Sequence, residues 1–146
     1  MYTIGQISDM FQIPISTLRY YDKEGLFPGI GRSSGIRQFS ENEVETLRII
    51  ECLKRSGMEI KKIKQFMQWC AQGSSTYTKR LDMFLEQKAA VNAEIDQLCK
   101  TLAMIEYKCW YYEQAIAEGG EEKLLARIPD ELPADIRALY DLAHAV

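Results

Sequence analysis

From Leu81 onward the chain keeps a spacing that few folds accommodate. In alternate steps of three and four come Leu81, Phe84, Lys88, Val91, Ile95, Leu98, Leu102, Ile105, Cys109, Tyr112 and Ile116, and ten of these eleven residues are apolar. A seam of this period belongs to one long helix packed in a coiled coil. About 40 residues at roughly 1.5 Å each give a rod about 60 Å long, too long to bury its stripe inside its own small domain. A second copy of the chain is the expected cover. The alternative, a long helix folded back on the tail, asks residues 119–146 to cover more seam than they can reach. Lys88 interrupts the apolar run and reads either as a device that sets register or strand direction, or as an end residue whose stem snorkels.

What precedes the rod is differently charged from the rod itself. Residues 1–70 hold ten basic and eight acidic side chains, whereas residues 71–146 hold eight and thirteen, so only the first part suits a polyanion, and weakly. The whole chain of 146 residues, 47% hydrophobic and 27% charged, is globular in composition and long enough for one ordinary domain or two small ones. No apolar run approaches the roughly 20 residues of a bilayer span, and Met1 opens no basic, apolar leader, so a cytoplasmic protein without a membrane partner is expected. Cys52, Cys70, Cys99 and Cys109 are widely spaced with no C-x-x-C pair. They read as free thiols rather than zinc ligands or disulfides.

The first seventy residues read as short elements with explicit punctuation. Thr3 and Gln6 form a capping box that opens a helix with Ile4, Ile7 and Phe11 on one face, and Pro14 forces a break. Ser16 is suited to cap a second helix from Thr17 to about Glu24, ended by Gly25 in the left-handed conformation. Two such helices joined by a tight turn are either a helix-turn-helix or a generic packed pair. Phe27 to Phe39 carries three glycines and a proline, with a Gly-Arg-Ser-Ser-Gly centre that suits a small β-hairpin or wing. Ser40 and Glu43 form a second capping box, opening a helix with Val44, Leu47, Ile50 and Leu53 inward, which Gly57 stops. Ile60, Ile63, Phe66, Met67 and Cys70 mark another helix, ending near Gly73. Beyond the rod, Gly119-Gly120, Pro129 and Pro133 leave a tail whose Leu132, Ile136, Leu139, Tyr140 and Ala143 make one amphipathic docking piece.

On the second helix, an exposed Arg19 can donate bidentately to a guanine edge and tyrosine hydroxyls can reach phosphate or base. Tyr21 shares a face with Leu18 and is expected in the core. Arg32 and Arg37 on the wing are placed to neutralise phosphates. The run Thr3-Ile4-Gly5-Gln6-Ile7-Ser8, then Ser16-Thr17-Leu18-Arg19-Tyr20-Tyr21-Asp22-Lys23-Glu24-Gly25-Leu26, Gly35-Ile36-Arg37-Gln38-Phe39 and Gly57-Met58 resembles the winged-helix head of the MerR family of bacterial transcription regulators, over roughly residues 2–70. The resemblance implies a mainly α fold: a winged helix-turn-helix head with a small β wing at 1–72, a long antiparallel coiled-coil dimerisation helix at 75–118 and an interface tail at 119–146.

It also implies a function. Such a homodimer binds double-stranded promoter DNA and bends and untwists a spacer to realign polymerase elements, so that RNA polymerase is an indirect partner. Thr17, Arg19 and Tyr20 correspond to the recognition-helix contacts and Arg32 and Arg37 to the wing contacts, and Ser16 at the start of that helix is counted with them among the DNA-binding residues. Phe39 departs from the usual tyrosine and reads as packing. Family members that sense metals carry cysteines at the start of the dimer helix and just past its end. None stands there in this chain, so no metal and no cofactor are expected. Cys52, flanked at helical spacing by Arg48 and Arg55, two cations that favour thiolate, resembles the cysteine of the aldehyde- and electrophile-responsive branch and is the candidate thiol sensor in a stress response. A small residue at a helix boundary with accidental basic neighbours is the other reading. Tyr107, Trp110 and Tyr111 can line a pocket for an organic effector, or act as a hydrophobic anchor for the tail. An enzyme is not expected, with one histidine, no phosphate-cradling loop and no nucleophile motif. A coiled-coil adaptor that binds no DNA is the competing class.

Overall fold

A computed structural model describes residues 1–146. The chain divides into two compact units, residues 1–87 and residues 88–146.

The first unit opens with α1 (Ile4–Phe11), whose Thr3/Gln6 capping box forms as expected: the Gln6 N–H donates to Thr3 Oγ1 at 3.2 Å and the Thr3 N–H to Gln6 Oε1 at 2.9 Å. Gln12 ends it in the left-handed region. The next helix, α2 (Ile15–Lys23), begins earlier than expected, because Pro14 rather than Ser16 is its N-cap and no side chain caps it. Proline has no N–H to leave orphaned and a fixed φ that leads into the first turn. The Pro14 carbonyl takes the N–H groups of Thr17 and Leu18. Gly25, at φ 81°, turns the chain out of α2.

The wing is a two-stranded antiparallel hairpin, β1 (Gly31–Ser33) and β2 (Ile36–Gln38), in which Arg32 stands opposite Arg37. Ser34 and Gly35 between the strands both have positive φ, as a type I′ turn requires. Phe39 continues the pairing beyond the hairpin by bridging to Tyr2 through two backbone hydrogen bonds of 2.7 and 2.9 Å, a tie that nothing in the sequence pattern announced.

Two longer helices, α3 (Glu41–Arg55) and α4 (Ile60–Gln72), complete the head. Ser40 and Glu43 form the capping box of α3. Val44, Leu47, Ile50 and Leu53 are all buried, and Gly57 ends the helix at φ 93°. Ile63 and Phe66 of α4 join them, with Ile60, Met67 and Cys70 packed around the margin. One core therefore gathers α1 to α4 with Leu18, Tyr21, Leu26, Phe27 and Phe39, the last two rings meeting edge to face.

A single 3₁₀ turn (Ser74–Thr76) leads into α5 (Tyr77–Glu118), the rod anticipated from the heptad seam. Its first eleven residues pack with the head rather than apart from it. Met83 joins the head core, Phe84 meets Phe66 edge to face at 5.3 Å, and Gln87 Nε2 donates to the Ser56 carbonyl and hydroxyl at 2.8 Å each. The boundary between the two compact units accordingly falls at residues 87 and 88, inside the helix.

In the second unit, α6 (Glu122–Arg127) and α7 (Ala134–Ala143) fold onto α5. Leu124 and Ile136 bury against Tyr107 and Tyr111, and the Tyr111 hydroxyl donates to Glu121 at 2.9 Å. Tyr140 meets Tyr107 edge to face.

Candidate nucleic-acid interface

The solvent side of α2 is set by its period. Leu18 and Tyr21 are three apart, point inward and are wholly buried, which turns Ser16, Arg19 and Tyr20 outward, with Thr17 partly covered. Arg19 is exposed and makes neither an ion pair nor a side-chain hydrogen bond within the chain, and Tyr20 is 46% exposed. An unpaired guanidinium next to an amphipathic ring on a short exposed helix is chemically suited to a base edge in a major groove.

Tyr21 is the internal counterpart. Its hydroxyl donates to Glu51 Oε1 at 2.9 Å and accepts from Lys54 Nζ at 2.6 Å, with the Lys54 ammonium 5.1 Å from the ring centroid. Burial, and then the hydrogen bond and charge of Glu51, keep this phenol protonated far above the usual tyrosine range. Both Glu51 and Lys54 come from α3, so α2 is fastened to α3 by a polar clasp as well as by the apolar core.

The wing arginines do not stand free. Arg37 Nε donates to Asp22 Oδ2 at 2.6 Å and Arg32 Nη2 to the same oxygen at 3.2 Å, while Arg32 Nη1 also reaches the Gly35 carbonyl at 3.3 Å. Asp22 is on α2, one residue past the Tyr20-Tyr21 pair. A single carboxylate thus holds two guanidinium groups, which leaves a net positive charge at the root of the wing and fixes the wing against α2. Asp22 lies within the Arg19-to-Asp22 run without a role that the sequence alone assigns. The available signal was an acidic residue in an otherwise basic face, close to two arginines across a hairpin.

The structure brings together Ser16, Thr17, Arg19 and Tyr20 on α2 and Arg32 and Arg37 on the wing. Cys52 lies elsewhere, on the exposed side of α3. Its anticipated cationic setting is differently arranged, because Arg48 pairs with Glu45 at 3.2 Å and stacks over the Phe11 ring at 5.6 Å. Among the four thiols, Cys70 is the one with a guanidinium contact, at 3.9 Å from Arg80 Nη1. Tyr107 and Tyr111 are buried where α5 meets the tail, with Trp110 packed beside them. No three His, Cys, Asp or Glu side chains converge as a metal site, and no helix is long and apolar enough to cross a membrane.

Comparison with known proteins agrees with this geometry. Residues 2–69 match the model of the MerR HTH family regulatory proteins. An uncharacterized HTH-type transcriptional regulator of Haemophilus influenzae is 37% identical over 131 residues, covering 88% of this chain and 97% of that protein. The crystal structure of HiNmlR, a MerR family regulator lacking the sensor domain and bound to promoter DNA, superposes with a TM-score of 0.73 at 38% identity, over 82% of this chain and 95% of that one. A MerR family transcriptional regulator from Bacillus thuringiensis gives a TM-score of 0.67 at 45% identity, over 74% and 96% of the two chains. With its winged head, its long helix and these relatives, the chain belongs to the MerR family of helix-turn-helix transcriptional regulators.

Proposed function

We propose that the protein binds promoter DNA as a homodimer, with α2 of each head in a major groove and the wing on the flanking backbone, and alters transcription by bending and untwisting the spacer between polymerase elements. The observation that carries this reading is the pairing of a free Arg19 and exposed Tyr20 on α2 with wing arginines tethered to that same helix through Asp22. Groove reading and backbone grip are thereby held in one fixed relation. Arg19 and Tyr20, with Ser16 and Thr17 beside them, serve base and phosphate contacts, whereas Arg32 and Arg37 neutralise phosphates. Two heads at a separation fixed by the paired rods engage one duplex, and its deformation energy is offset by those phosphate contacts. A head of residues 1–72, a dimer helix at 75–118 and an interface tail at 119–146 are the corresponding functional segments.

Salt-dependent retention on the protein's own upstream DNA tests the binding. It is expected to weaken strongly in Arg19→Ala and Arg37→Ala, and retention unchanged in both variants would favour the adaptor reading. Footprinting with measurement of the spacer length tests the untwisting, which needs a spacer longer than ordinary.

A thiol response through Cys52 is the second part of the proposal, favoured by the exposure of that side chain on α3 one residue from Glu51 of the Tyr21 clasp. Brief iodoacetamide treatment of the intact protein is expected to label Cys52. Labelling of Cys70 with Cys52 untouched would remove the thiol switch and leave DNA binding intact.

A further inference from the structure

The tail and the seam occupy different faces of α5. Ala103, Tyr107 and Tyr111 are covered by α6 and α7, whereas Ile95, Leu98, Leu102, Ile105 and Tyr112 are 51–66% exposed. The tail therefore leaves the apolar stripe uncovered. Building on the homodimer reading above, we propose that a second copy of the chain covers this face antiparallel in one register, in which Lys88 lies on the ring of the partner's Tyr112 and Glu94 pairs with the partner's Lys108.

Antiparallel helices that share a heptad seam layer each residue of one seam class against the other class, so the allowed registers differ by whole heptads. In one of them Lys88 faces the partner's Tyr112, Val91 the partner's Cys109, Ile95 the partner's Ile105 and Leu98 the partner's Leu102. Continuing the same count sets Phe84 against the partner's Ile116, so ten of the eleven seam residues are matched. A shift of one heptad in one direction sets the Lys88 ammonium against the partner's Ile105, which offers it no aromatic ring. A shift in the other direction carries Lys88 past the end of the partner's helix at Glu118. A parallel pair in register would oppose Lys88 to the partner's Lys88, two like charges in an apolar seam. Only the first arrangement gives the ammonium an aromatic face.

The flanking charges select the same register independently. Glu94 and Lys108 each stand one step outside the seam on its same side, are exposed, and take part in no ion pair within the chain. Antiparallel packing brings such positions opposite one another. In the proposed register Glu94 meets the partner's Lys108. In the shifted registers it meets the partner's Thr101 or Ala115, while Lys108 meets the partner's Gln87 or Thr101. Lys108 is already steered by the Tyr111 ring, with its Nζ 4.7 Å from the centroid. Lys88 is thus a positioning residue for partner direction and register.

Cysteine cross-linking of the full-length protein reads the register directly. In a background with Cys52, Cys70 and Cys99 replaced by serine, Cys109 remains, and Val91→Cys, Phe84→Cys or Leu98→Cys is added singly. After oxidation with copper phenanthroline, covalent dimer is counted only where it disappears on Cys109→Ser. The expected result is a dominant cross-link in Val91→Cys. A cross-link in the background alone would mean parallel chains, and dominance of Phe84→Cys or Leu98→Cys would mean a shifted register; either overturns the proposal. Sedimentation of the background protein before oxidation separates the two ideas, since a monomer there removes the homodimer itself, whereas a dimer cross-linked at another site removes only the register. Adding Lys88→Leu is expected to spread the cross-link into Phe84→Cys; a yield still confined to Val91→Cys would remove the role given to Lys88.

Discussion

Asp22 carries an unusual share of the interface for one side chain, since it holds both wing arginines and presents none of its own charge to DNA unopposed. Arg37→Ala is expected to weaken binding nearly uniformly across sequences and to lower the slope of log affinity against log salt by about 0.9 per protomer, as loss of one phosphate contact requires. Titration over a range of salt concentrations on specific and unrelated duplexes checks both parts. Arg19→Ala should behave differently, relaxing sequence preference by about 1–3 kcal/mol at one base pair, if its guanidinium reads a base edge. Competition between duplexes that differ at single positions measures it. Tyrosines supply the pH dependence. Burial, and then the hydrogen bond and charge of Glu121, push the Tyr111 hydroxyl up to about 12, whereas in the unfolded chain it titrates near 10. Below about pH 10 both states keep the proton and the stabilisation is complete. Above it the unfolded chain alone releases the proton, so stability falls as pH rises toward 12. Thermal melts from pH 8 to 12 should show this decline, reduced in Tyr111→Phe and not abolished, because the Tyr21 and Tyr107 hydroxyls are also raised by burial.

Capping chemistry decides the helix starts, and the loss of one cap is a test at the scale of an element. Ser40→Ala removes the hydroxyl acceptor for the first turn of α3 while the backbone N–H of residue 40 still donates to Glu43, a cost of about 1 kcal/mol that denaturant unfolding would register as a lower midpoint with an unchanged slope. Both capping boxes, the inward residues of α3 and the wing with its positive-φ turn were legible in the sequence, because each depends on chemistry within a few residues of itself. The start of α2 was misjudged by two residues, since a proline at the N-cap does by backbone conformation what serine would do by hydrogen bonding. The Tyr2 bridge to Phe39 and the clasp of Tyr21 with Glu51 and Lys54 were not legible. Each joins residues thirty or more positions apart in sequence, and such a meeting depends on how helices pack, which local patterns do not encode. The same reason hid the Asp22 tether, although its members were all visible as a basic hairpin beside an acidic helix position.

For the whole molecule, the seam was the most legible feature and its cover the least. Periodicity gave the rod and its apolar face, yet only the folded tail shows that Ala103, Tyr107 and Tyr111 are already occupied on another side. Leu98→Asp places a carboxylate in the middle of the uncovered stripe. It is expected to leave the head folded while sedimentation shows a monomer and DNA affinity falls by at least tenfold, because one head then grips the duplex without its mate. The elbow between α4 and α5 bears on what such pairing can transmit. Arg80 donates to Thr76 Oγ1 and to the Gly73 carbonyl and stacks on Tyr77, while buried Thr76 donates back to the Trp69 carbonyl. With Phe84 and Gln87 also seated on the head, the corner has no loose joint. A twist taken up by residues 77–87 is therefore passed to α4 and the head core as torque rather than dissipating in a hinge at Gly73, much as a welded crank turns its shaft.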